Sequence, residues 1–85
     1  MPELSRFLGI IIAMYYRDHP PPHFHAIYGE HEATIGIETA QVNGNLPARV
    51  LGLVQEWRAL HQAELLDAWT LAVAQKPLPN IAPLE

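Results

Sequence analysis

The sequence contains no cysteine and only one serine, Ser5, in 85 residues. Disulfides and cysteine-ligated zinc therefore cannot support a small core, and nucleophilic triads built on either side chain are almost excluded. Charge is also sparse, at 16% of residues, with five Lys or Arg against nine Asp or Glu and a formal net charge of -4. That balance has the wrong sign for a chain that must neutralise several phosphates by itself, so nucleic acid is not expected as a partner of the isolated chain. No Gly-rich phosphate loop is present. The longest apolar run, Phe7 to Tyr16, is about half of the roughly 20 residues a membrane helix requires. No basic segment followed by an apolar stretch and a small-residue cleavage site opens the chain, so a cytoplasmic protein with no membrane association is expected.

What is present fits one domain over residues 1–85. Hydrophobic side chains make up 49% of the sequence, but the area that so short a chain can bury is limited, so homodimerisation or tight helix-on-sheet packing must help. Residues 1–46 read as the sheet part. Phe7 to Tyr16, rich in Ile and Tyr, predicts a strand that ends at Pro20-Pro21-Pro22, where proline cannot donate to a ladder. A rigid His/Pro loop over 17–25 follows, in which Arg17 and Asp18 are expected to form a short-range charged pair. His23 to Tyr28 and Ala33 to Glu38 alternate with period two around Gly29-Glu30-His31-Glu32, a predicted hairpin. Gln41 to Asn43 can add a short strand before a turn at Gly44-Asn45.

From Pro47 to Gln75, Val50, Val54, Trp57, His61, Leu65, Ala68 and Ala72 recur at steps of three or four, the period of an amphipathic helix. A straight helix over this part would be about 43 Å long, whereas a domain of this size is roughly 30 Å across. A break near His61 to Glu64 is expected, although no Gly or Pro marks it. The last part, 76–85, holds Pro77, Pro79 and Pro83 and is expected to be extended and pinned by Leu78, Ile81 and Leu84. The fold class is therefore α+β: an antiparallel sheet of three or four strands followed by one long broken helix or two helices packed on one face.

The unusual feature is a cluster of four of the five histidines, His19, His23, His25 and His31, within thirteen residues. Residues two apart on a strand share a face, so His23 and His25 can converge on one ion while Phe24, Ala26 and Tyr28 point to the other side. With Gly29 to Glu32 as the turn, Tyr28 pairs with Ala33, Ala26 with Ile35 and Phe24 with Ile37. That register sets Glu38 opposite His23 and Gly36 opposite His25. Neutral imidazoles with a carboxylate suit a divalent transition metal, with zinc, nickel or manganese as candidates, and an open position could activate water. The candidate ligands are His19, His23, His25 and Glu38, with Glu30 or His31 as substitutes. The plainer alternative is that the histidines donate to loop carbonyls and the prolines stiffen a turn. His61 shares the helical stripe with Trp57 and reads as a packing residue.

Ser5-Arg6-Phe7-Leu8-Gly9-Ile10-Ile11-Ile12, Met14-Tyr15-Tyr16, Asp18-His19, Pro21-Pro22-His23-Phe24-His25-Ala26 and Tyr28-Gly29-Glu30, with the later Leu46-Pro47, Glu56-Trp57, Leu60-His61, Glu64-Leu65-Leu66, Trp69 and Lys76-Pro77-Leu78, resemble a bacterial family, the domain of unknown function family 4160. One departure is Pro20, which stands where the family commonly has another residue. The resemblance implies a small protein, often encoded beside another short one in an arrangement that has invited toxin-antitoxin assignments. It carries over no catalytic residue, but its motif coincides with Pro21, Pro22, His23, Phe24 and His25, and with His19 and Tyr28 these define a candidate binding loop.

Three functions follow as expectations. The first is a non-enzymatic binding module in a toxin-antitoxin-like or regulatory pair with a small protein encoded nearby. The second is a metal-dependent hydrolase, with RNA as a candidate substrate, using His19, His23 and His25. The third is a nucleic-acid-binding regulator, which would need a basic partner to supply the charge.

Overall fold

The computed structural model describes residues 2–84, so the ends of the expected 1–46 and 76–85 parts, Met1 and Glu85, lie outside the described residues. Five strands precede two helices: β1 (Glu3–Phe7), β2 (Ile10–Ala13), β3 (His23–Tyr28), β4 (His31–Gly36), β5 (Val42–Asn45), α1 (Ala48–Leu60) and α2 (Gln62–Val73). The strands form one antiparallel meander in sequence order. The fold is α+β.

The strand expected over Phe7 to Tyr16 is instead the end of one strand, a turn and a second strand. Leu8 and Gly9 have φ of 51° and 80°, the pair of positive values that a two-residue I′ hairpin turn requires. Phe7 then pairs with Ile10 and Arg6 with Ile11. This extra hairpin raises the count to five strands. Gly44-Asn45, expected as a turn, completes β5, where Gly44 takes φ 110° and its α-carbon lies against the backbone of β4.

In the β3–β4 hairpin the loop shrinks to Gly29-Glu30, with glycine at φ 58° in its first position. Tyr28 pairs with His31, Ala26 with Ala33, Phe24 with Ile35, His25 with Thr34 and His23 with Gly36. The register is thus two residues off the expected one. An even shift keeps every side chain on its face, so the apolar side survives: Phe24, Ala26, Ala33, Ile35 and Ile37 are buried, and Tyr28 packs against them half-buried. Glu38, however, loses its place opposite His23 to Gly36, and it is exposed.

The helices cover that apolar side. Val50, Val54 and Trp57 of α1 and Leu65, Ala68, Trp69 and Ala72 of α2 are buried in one cluster with Leu4, Phe7, Ile10, Ile12 and the β3–β4 face. Trp57 is its centre, with ring centroids 5.6 Å from Phe7 and 5.8 Å from Phe24. The expected break falls at His61, whose φ of -121° leaves the helical region. Its N–H is shared between the carbonyls of Trp57 and Arg58, at 3.1 and 3.2 Å, and its ring packs on Trp57 and bonds to Glu64 at 2.6 Å. Two short helices fit within extents of 33 × 24 × 22 Å; one straight helix would overhang.

Beyond α2 the described chain has no regular secondary structure. Ile81 is buried, Leu78 and Leu84 pack against the core, and the Ile81 N–H donates to the Leu4 carbonyl at 2.8 Å. The tail is therefore pinned to the body through Leu78, Ile81 and Leu84, as expected, and Ile81 ties it to β1, one outer strand of the sheet.

Candidate metal centre

Alternation along β3 puts His23 and His25 on the face opposite Phe24 and Ala26, half-buried, with His23 at the start of the strand where α2 still reaches it through Trp69. The loop between β2 and β3 folds back so that Asp18 reaches the same place. Asp18 Oδ2 lies 2.9 Å from His23 Nε2 and 3.3 Å from His25 Nε2, and one ligand atom from each of the three residues falls within 4.8 Å of the others. Two donor atoms each about 2.0–2.1 Å from one ion are about 2.9 Å apart at a right angle and about 3.4 Å apart at the tetrahedral angle. The spacing suits a shared cation.

His23 Nδ1 is 2.9 Å from the Pro21 carbonyl; a carbonyl only accepts, so Nδ1 carries the hydrogen. In the neutral ring Nε2 is then a bare lone pair aimed at a carboxylate oxygen. His25 meets the same difficulty from both sides, with Nδ1 3.1 Å from Glu32 Oε2 and Nε2 3.3 Å from Asp18 Oδ2. A neutral imidazole has one proton for two such acceptors. A cation placed where the two Nε2 atoms and Oδ2 converge would satisfy all three. The outward-facing Nδ1 contacts, one to a carbonyl and one to a carboxylate, are those by which metal-ligating histidines are commonly held.

Burial pushes the Asp18 carboxyl up, but the His19 N–H donating to Oδ1 at 2.8 Å and the facing His25 and His23 rings outweigh it. The net effect holds the group below its ordinary value. The rings themselves are bracketed by aromatics: Tyr15 meets His25 edge-on at 4.3 Å, and Trp69 of α2 lies 5.2 Å from His23. These contacts pack each ring against an aromatic neighbour.

The other sequence-predicted site residues are placed differently. His19 is exposed and contributes its backbone N–H. The Pro21 carbonyl fixes His23, and the Pro22 carbonyl accepts from Ile37 N at 3.0 Å, tying the loop to β4. Phe24 and Tyr28 belong to the core side. Glu38, Glu30 and His31 are exposed and do not join the three-residue cluster. Asp18 does not pair with Arg17 as expected. The Arg17 guanidinium instead reaches Gln75 beyond α2, whose side-chain amide, with its oxygen facing the guanidinium, accepts from Nη2 at 2.7 Å. The sequence assigned Asp18 to a pair with Arg17 and Glu32 to the hairpin turn; only the loop path and the observed register bring them to the histidines.

An open cleft of about 270 Å³ adjoins Asp18 and His23. Thr34, Gly36, Thr39, Gln41 and Asn43 of β4, β5 and their connection line one part of it, and His19, Pro20 and Pro21 another. Gly36, directly opposite His23, brings no side chain into the space.

No curated protein and no solved structure matches the chain significantly. The model of one family, described as Domain of unknown function (DUF4160), matches residues 9–70, which run from the first hairpin turn through the Asp18, His23 and His25 cluster into α2. The chain belongs to that family.

Proposed function

We propose that this domain is a metal-binding module in which Asp18, His23 and His25 hold one divalent transition ion. The observation that supports it is the convergence of two imidazole Nε2 atoms on one carboxylate oxygen while both Nδ1 atoms are engaged elsewhere. Two histidines and one carboxylate suit zinc, nickel, manganese or iron and leave coordination positions open. Calorimetric titration of metal-free protein with zinc, nickel and manganese tests the proposal. One ion per chain is expected, and absence of binding to all three overturns it.

A metal-dependent hydrolase is the second reading, favoured by one observation. His19 lines the same cleft as Asp18 and His23, so it is available to move a proton from a metal-bound water. Metal-dependent cleavage of RNA that is lost in His19→Ala, with ion uptake retained, is the expected result for this reading. No cleavage by the metal-loaded chain rejects it and leaves the binding module.

A further inference from the structure

The cleft beside the cluster has a chemical character of its own. Among the described residues that line it, Asp18 is the sole carboxylate, and no Lys or Arg contributes; the remaining polar groups are the His19 and His23 rings, the Thr34 and Thr39 hydroxyls and the Gln41 and Asn43 amides. Gln41 and Asn43 are exposed, so their side-chain amides are open to a guest, whereas the Thr34 hydroxyl donates to the Asn43 carbonyl and the Thr39 hydroxyl accepts from the Gln41 N–H. Three protein ligands leave a divalent ion with open positions; the ion with ionised Asp18 carries a net charge of +1, and the Glu32 carboxylate on the far side of the His25 ring is half exposed and screened by solvent. A cleft with that residual charge and neutral donors favours one monoanion that can ligate the ion and accept hydrogen bonds at once. The volume of about 270 Å³ corresponds to about nine water molecules, which suits a compact molecule.

We infer that the cleft takes a small monocarboxylate as the ion's exogenous ligand, one oxygen on the metal and the other facing the Gln41 and Asn43 amides. This inference rests on the metal-binding reading above. Its specificity comes from β4, β5 and their connection: Gly36 brings no side chain of its own, the Thr39 hydroxyl reaches the place its Cβ would take, and the meander sets Asn43 beside Thr34. A bulky residue at position 36 would meet Thr39 as well as fill this space.

Cobalt(II) reports both steps, because uptake and a change of its ligands each alter its visible absorption. The full chain is loaded with cobalt and titrated with acetate and then benzoate, beside the double variant Gln41→Ala/Asn43→Ala. Expected are one cobalt per chain, a saturable spectral change with carboxylate, and carboxylate affinity at least about tenfold weaker in the double variant with cobalt uptake unchanged. Cobalt uptake with no saturable change, or equal carboxylate affinity in the two proteins, overturns the inference and leaves the metal site standing. No cobalt uptake overturns both. Circular dichroism of the double variant, expected to match the parent, excludes misfolding as the cause of a weaker response.

Discussion

The indole N–H of Trp57 donates to the carbonyl of Ala82 at 2.8 Å, so the fully buried ring at the centre of the core also fastens the tail beyond α2. Trp57→Ala is expected to cost about 3–5 kcal/mol through the cavity it leaves. Trp57→Phe keeps most of the apolar surface but strands the Ala82 carbonyl, at a cost of about 1–3 kcal/mol. Denaturant unfolding measures both. Equal stability of Trp57→Phe and the parent would show that the tail is held by Ile81 and its neighbours alone.

Replacing His23 and His25 together by Gln removes both Nε2 donors from positions that are only half-buried. Loss of ion uptake is expected, while the far-ultraviolet circular dichroism stays that of the parent. Ion-induced stabilisation, visible as a rise in Tm of the parent on adding zinc or nickel, should vanish in the double variant. A metal-free double variant that unfolds far below the metal-free parent would instead assign the two rings a structural role.

Asp18 sets a pH dependence whose sign follows from its shift. Its carboxyl is held below its ordinary value in the folded chain, so its contribution is fully present above the unfolded-state value of about 3.9. That contribution is lost as pH falls through the lower folded-state value, because the folded protein then resists protonation no longer. Asp18→Asn should therefore be less stable than the parent near neutral pH, with the difference shrinking below about pH 4. A stability difference that does not change between pH 7 and pH 3 would contradict this. In the same variant, ion affinity should fall steeply at pH 7, since a carboxylate ligand is replaced by a weak amide oxygen.

Gly44 combines a φ of 110° with close approach to β4: a Cβ built there would lie 2.6 Å from the Glu32 carbonyl oxygen and 2.8 Å from the Ala33 α-carbon. Both obstacles are backbone, which cannot swing aside. Gly44→Ala is expected to destabilise by about 1–3 kcal/mol and to loosen β5 first, with faster amide exchange at Val42 to Asn45 than at β2 or β3. Unchanged exchange in β5 would show that the strand shifts to absorb the methyl group.

Much of the architecture was legible because it depends on periodicity. Alternation in 23–28 and 33–38 assigns Phe24, Ala26, Ile35 and Ile37 to one side and His23 and His25 to the other, and an even error in register cannot undo that assignment. Steps of three and four placed Val50, Val54, Trp57, Leu65 and Ala68 on a buried stripe. Chain length against domain size pointed to a break near His61 to Glu64, with no Gly or Pro to mark it, and the structure places it at His61. The first hairpin was missed because Leu8-Gly9 interrupts an apolar run with no polar residue, leaving Gly9 as the only sign of a turn.

The candidate site divides along the same line. By itself the sequence determined that two imidazoles share a polar sheet face beside a proline-rich loop, because strand geometry converts spacing directly into facing. Which carboxylate joins them was decided only by the tertiary structure. A two-residue turn moved Glu38 away from His23, and the loop's return over the sheet brought Asp18 Oδ2 to both rings. Periodicity acts within one element and is written in the sequence. The path of a loop across other elements depends on contacts distant in the chain, such as Pro22 to Ile37 and Arg17 to Gln75, and these exist only once the domain has folded.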